Sequence, residues 1–231
     1  MELLVIADPH YSRQPDCAAL YGRRGDLTLP LLEEIYRRER DIDAVALLGD
    51  VSERGEHPDL RAELTAVRDA LLRYGRPIIA LSGNHDPDIA LLEEVFGPAA
   101  PQVIGGVRLI PFSDPRDEEG FSWREFDVME RAFAEIKPGE RVVVLQHNPV
   151  LPKFGSSPVR YLEIADAYSQ ASVALSISGH IHDGFAPISE GNVVYFGAPG
   201  LCAPPYRYAR VTVTQDAVRV DVREVGECAV L

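Results

Sequence analysis

A chain of 231 residues with 46% apolar and 26% charged residues has the composition of a globular protein, which excludes a disordered one. Its 23 basic and 36 acidic residues give a formal charge of −13, a surface that repels duplex nucleic acid and anionic membrane. Long nucleic acid is therefore disfavoured as a substrate, while a local metal centre would still attract a small phosphate.

Along the chain, short apolar runs alternate with helix-like stretches. Glu2–Ala7 comes first; no basic region precedes its apolar part and Asp8 follows it at once, so it reads as a strand and not a signal peptide. Leu29–Arg40 has apolar residues at helical spacing, and Ala44–Leu48 is a second strand. Pro58–Tyr74 carries the stripe Leu60, Leu64, Val67, Leu71 and stops at Tyr74-Gly75. Pro77–Leu81 is the third strand and Asp88–Phe96 the next helix. Gln102–Ile104 and Val107–Phe112 flank Gly105-Gly106, a hairpin signal. Trp123–Ile136 is helical, Arg141–Gln146 a strand, Val159–Tyr168 helical and Ser172–Ser178 a fifth strand. Ala209–Thr214 and Ala217–Glu224 alternate around Gln215-Asp216 as a second hairpin. The five runs show no polar alternation, which suits strands buried on both faces, and the order predicts an α/β fold with a largely parallel core. With no repeat, linker or low-complexity tract, residues 1–231 read as a single domain.

Cys17, Cys202 and Cys228 are odd in number and lack CxxC spacing. That rules out a fully paired disulfide framework and a cysteine-built zinc ribbon, and reads as three reduced thiols. No apolar run approaches the roughly 20 residues of a membrane span. The expectation is a cytoplasmic protein; its oligomeric state is left open.

Each of the five apolar runs is followed directly by residues able to bind metal: Asp8-Pro9-His10, Gly49-Asp50, Gly83-Asn84-His85-Asp86, His147-Asn148 and Gly179-His180-Ile181-His182. Sites in open α/β sheets form beyond the carboxyl ends of the strands, so five such clusters would converge. Five of the six histidines lie in them; only His57 does not, and it reads as a solvated loop residue. Any one cluster is weak evidence, since a lone histidine is ordinarily a hydrogen-bonded core or surface residue. All five at successive strand ends are not. Carboxylate and imidazole donors without thiolate suit Mn, Fe or Zn and argue against a structural zinc site.

The ordered set DPH, GDVSERG, GNHD, QHNP and GHIH, spanning residues 8 to 182, resembles the calcineurin-like metallophosphoesterase superfamily. The resemblance implies a four-layer αββα sandwich of two mixed sheets, with two divalent metal ions at the sheet edge, manganese first among the candidates. It places Asp8, His10 and His182 on one metal and Asn84, His147 and His180 on the other, with Asp50 bridging. His85 would stand beside the phosphate. The protein-phosphatase branch continues its second motif to an acid and an arginine, so Glu53 would orient His85 and Arg54 would hold a phosphate oxygen. Asp86 is an alternative orienting group, or a helix cap. The chemistry implied is hydrolysis of a phosphate ester by a metal-activated hydroxide, since a bound metal lowers the pKa of water from 15.7 towards about 7. A small phosphodiester or phosphomonoester, such as a nucleotide, is the expected substrate. The alternatives are a Mn-dependent nuclease, against which the net charge weighs, and a catalytically silent metal-binding protein. Outside the motifs, Tyr11, Trp123, Phe154 and Tyr206 read as core packing or simple exposure before pocket lining, and Pro149–Pro158 reads as a loop that shapes substrate access.

Overall fold

The computed structural model describes residues 1–14, 23–55, 57–151 and 156–226; Cys17, Cys228 and Phe154 lie outside them. Among the described residues, eleven strands form two sheets. The first sheet has the order β11-β10-β1-β2-β3, with β1 (Glu2–Ile6), β2 (Ala44–Leu47) and β3 (Ile78–Ala80) parallel and the hairpin β10 (Arg207–Val213)–β11 (Val218–Glu224) antiparallel beside β1. The second has the order β4-β5-β6-β7-β9-β8. There β5 (Val107–Phe112), β6 (Arg141–Gln146), β7 (Val173–Ser178) and β9 (Val193–Gly197) run parallel. The edges β4 (Gln102–Ile104) and β8 (Phe185–Glu190) are antiparallel.

Side chains on a strand alternate between its two faces, and here both faces are apolar. Leu4 and Ile6 of β1, with Val45 and Leu47 of β2, pack under α1 (Thr28–Arg38), α2 (Leu60–Leu72) and α3 (Ile89–Phe96). Leu3, Val5 and Ala7, with Ala44, Ala46 and Leu48, face the other way and meet Val143, Leu145, Leu175 and Ile177 of the second sheet. Val142 and Val144 then turn outward onto α4 (Phe126–Ala134) and α5 (Tyr161–Gln170) through Met129, Ile164 and Tyr168. Three cores separate four layers, helix–sheet–sheet–helix. Fully burying each such Val, Leu or Ile contributes about 1.5–3 kcal/mol, so the interior between the sheets fixes their alignment. A buried polar knot sits under the second sheet. Arg124 pairs with both oxygens of Asp114 and donates to the Tyr168 hydroxyl at 2.8 Å and to Gln146 Oε1 at 3.2 Å.

The five runs, the five helices and both hairpins are all present, most with ends trimmed or shifted by one or a few residues. The hairpin β8–β9 is an addition that the sequence does not signal, because β8 is an edge strand with Pro187 in it and mostly exposed side chains. His57 is a correction. It is not solvated: its Nε2 lies 3.0 Å from Oε2 of Glu63, a carboxylate with no exposed surface on α2. The other oxygen of that carboxylate accepts the Arg13 amide at 2.6 Å, so an imidazole and an amide both face a charge the fold has buried. Tyr11 and Tyr206 are core residues, while Trp123 is 40% exposed. No helix among the described residues is long and apolar enough to cross a membrane.

Candidate metal centre

The parallel ladder does not end with the strands. Asp8 N donates to Gly49 O at 3.2 Å, His10 N to Asp50 O at 2.9 Å and Tyr11 N to Val51 O at 2.9 Å, carrying the first two ligand clusters alongside each other beyond β1 and β2. In the second sheet Gly179 N donates to His147 O at 3.0 Å, doing the same beyond β6 and β7. The turns are sharp: Asp8, His10, Asp50 and His180 all have φ between 46° and 66°, which side-chain-bearing residues occupy at a cost. Glycine is required at two points of closest approach. A Cβ on Gly83 would lie 2.2 Å from both the amide nitrogen and Oδ1 of Asp50, and one on Gly49 would lie 2.6 Å from His147 Nδ1.

All seven residues expected to hold metal come together. Donor atoms of Asp8, His10, Asp50 and His182 form one group, those of Asp50, His147 and His180 a second, each within 4.8 Å of one another. Asn84 Oδ1 joins the second group, 3.0 Å from His147 Nε2 and 2.7 Å from His180 Nδ1. Asp50 belongs to both: Oδ2 lies 3.5 Å from His10 Nε2, and Oδ1 lies 3.6 Å from His147 Nε2. Each group draws on both sheets, since Asp8, His10, Asp50 and Asn84 follow strands of the first and His147, His180 and His182 follow strands of the second.

The donor set fits a pair of cations. His147 spends its Nδ1–H on the Leu48 carbonyl at 2.8 Å, so the Nε2 facing Asn84 Oδ1 is a bare lone pair meeting another acceptor. That contact repels unless a positive ion lies between the two acceptors. His10 and His182 turn Nε2 towards Nε2 at 3.1 Å. Titration agrees. Burial, then the neighbouring Asp50, pushes the Asp8 carboxyl well up. Burial alone would raise Asp50 too, but His147, His10 and His85 outweigh it and bring it down to about 2. Burial pulls His180 and His182 down to about 4, leaving them as neutral ligands.

The remaining expected residues sort differently. His85 is about one-third exposed at the rim, and its Nδ1 donates to the main-chain carbonyl of Glu53 at 3.0 Å, leaving Nε2 clear. Its amide donates to Asp50 Oδ1 at 2.8 Å, and its ring meets that of His10 edge-on at 4.6 Å. The Glu53 carboxylate is buried behind His10, with Oε2 at 3.2 Å from His10 Nδ1 and Oε1 held by Arg23, whereas it is 3.7 Å from His85. Arg54 is exposed. Asp86 ties two loops by accepting the amides of Ser52 at 2.9 Å and Gly83 at 2.8 Å; the helix cap is Asp88. Three residues here carry no motif signal. Arg23 backs Glu53, Arg116 lines a cavity beside Asn84 and His180, and the Cys202 thiol stands 3.7 Å from His182 Nδ1. Long-range contacts deliver Cys202: Leu201 N donates to Ala7 O at 2.8 Å, laying the segment against the end of β1.

Residues 1–184 match the sequence model of the calcineurin-like phosphoesterases. This chain belongs to that family. It is a metal-dependent phosphoric ester hydrolase. The phosphoesterase is 27% identical over 215 residues to a Synechococcus sp. protein named as a probable cyclic nucleotide phosphodiesterase, covering 86% of this chain and 80% of that one. Its fold is that of a dimetal phosphatase from Danio rerio, with a TM-score of 0.77 at 17% identity over 98% and 97% of the two chains. It also resembles the TT1561 protein of Thermus thermophilus, with a TM-score of 0.65 at 15% identity over 97% and 98%.

Proposed function

We propose that the phosphoesterase hydrolyses a small phosphodiester of the nucleotide class, with two divalent ions, manganese foremost, held by Asp8, His10 and His182 and by Asn84, His147 and His180 about a shared Asp50. The observation that carries this reading is the Asp50 carboxylate, one oxygen turned to each group of imidazoles. When bound, the ions supply the Lewis acidity that makes water a nucleophile near neutral pH and offsets the charge on the phosphate. The chain does the rest. His147 is held in the ligating tautomer by the Leu48 carbonyl, and the Glu53 carboxylate stands behind His10, 3.2 Å from its Nδ1. His85, anchored through Nδ1, presents Nε2 to the substrate. As the water oxygen bonds to phosphorus and the ester P–O bond breaks, a protonated Nε2 gives its proton to the departing alkoxide. Arg54, on an exposed loop, is free to meet a phosphate oxygen. The name of the Synechococcus relative supports a diester over a monoester.

The test compares a bis-aryl phosphodiester with the matching aryl monoester on Mn²⁺-reconstituted protein. Diester kcat/KM at least tenfold higher is expected. Monoester preference would overturn the diester assignment, and silence on both with two metals bound would overturn the placing of chemistry at this centre.

A further inference from the structure

A cavity of about 620 Å³ opens beside the metal centre, with Asn84 and His180 in one wall and Arg116, Ser156, Ser157 and Phe121 around the rest. Its size suits a small ligand. Arg116 Nε and the hydroxyls of Ser156 and Ser157 are buried atoms with no hydrogen-bond partner among the described residues. A buried donor left unsatisfied costs about 1–3 kcal/mol, so three at one cavity call for a ligand rich in acceptors. The walls are fastened. Arg116 bridges to Ser122, and Asn148 Nδ2 donates to the Ser156 carbonyl at 3.1 Å. The acids nearby do not neutralise the site from within: Asp117 turns its carboxylate into its own turn, accepting the amides of Glu119 at 3.1 Å and Phe121 at 2.8 Å, and Glu118 is exposed.

Position says which part of the substrate would lie there. The scissile phosphate belongs among the two ligand groups and His85, and His85 does not line the cavity. The cavity shares only Asn84 and His180 with the centre and leads away from it. Arg116 lines this cavity together with Asn84 and His180 of the centre, so a ligand there adjoins the ligand groups. An arginine fork with two hydroxyls matches the oxygens of a phosphate. We propose that Arg116, Ser156 and Ser157 form a subsite for a second, non-scissile phosphate, so that the substrate class is a diphosphate ester. This rests on the hydrolase reading above and narrows it.

The test uses the full chain with Mn²⁺ and two substrates, a dinucleoside diphosphate and a bis-aryl phosphate that has no second phosphate. Arg116→Ala should raise KM for the diphosphate about 10–100-fold, the loss of a charged hydrogen bond, with kcat changed by no more than about twofold. The bis-aryl phosphate should lose no more than about twofold in kcat/KM. Ser156→Ala with Ser157→Ala should show the same selectivity with a smaller effect, and Arg116→Lys should restore part of the loss. Calorimetric titration of a methylene-bridged nucleoside diphosphate should weaken in parallel with KM. Equal losses on both substrates, or none on either, would overturn the subsite. If the wild type turned over neither substrate, the hydrolase reading itself would fail, whatever Arg116 does.

Discussion

Glu53→Gln separates two roles that the residue's position allows. The Glu53 carboxylate lies 3.2 Å from His10 Nδ1, while His85 is held at 3.0 Å by the Glu53 main chain, which the substitution leaves in place. Gln keeps the shape but removes the charge. Removing that charge from behind a ligand-bearing imidazole costs about 1.4 kcal/mol of metal affinity or more. At about 1.4 kcal/mol per factor of ten, metal affinity at the Asp8–His10–His182 group should fall about tenfold. That is the low end of the 10–100-fold typical for groups that orient a ligand from behind. The second group should change by less than about twofold, because the Leu48 carbonyl orients His147 there. The assay is a Mn²⁺ titration against a chelating indicator that resolves the two sites, with kcat measured at saturating metal. Equal weakening of both sites would refute the reasoning. So would unchanged metal binding with reduced kcat at saturation, which would show the carboxylate acting through His85.

His85→Ala should lower kcat about 10²–10⁴-fold, the usual contribution of a positioned acid, and elemental analysis should still find two metal equivalents; loss of one would make His85 a ligand. Asp50→Asn should weaken both steps of the metal titration, and a shift in one step alone would count against the shared carboxylate. Asp114→Ala leaves the Arg124 charge buried without its carboxylate, a loss of about 3–5 kcal/mol. In a chain this long that lowers Tm by about 6–20 °C, measured by calorimetry, and a shift under about 2 °C would mean that water has replaced the carboxylate.

The candidate metal ligands announce themselves in sequence, because carboxylates, imidazoles and glycines placed directly after apolar runs have few other uses in combination. How Asp8 meets His182, or which oxygen of Asp50 faces which imidazole, depends on how the strands pair, and spacing along the chain does not contain that. The two-sheet division is hidden for a related reason: a strand buried on both faces looks the same whichever sheet it joins, as Val5 and Val143 do on either side of one core. β8 is silent in sequence because an exposed edge strand lacks the apolar pattern that marks the rest. Glu53 shows the limit within a motif. The resemblance points its acid at His85; the fold brings its carbonyl to His85 at 3.0 Å and its carboxylate to 3.7 Å from His85 and 3.2 Å from His10, a division that the motif does not contain. Arg23, Arg116 and Cys202 sit on loops, and only tertiary contacts bring them to the centre.

The two sheets meet through apolar side chains, a contact that is broad but not directional. At one end, however, each group of ligands takes members from both sheets. Ions seated there would be bolts through that seam as well as reagents. Metal filling and folding are then one equilibrium: at a concentration 100 times its Kd, each ion would add about 2.7 kcal/mol to stability. A chelator would therefore slacken the join between the halves at the moment it silences the chemistry, so the melting temperature would report how fully the enzyme is armed.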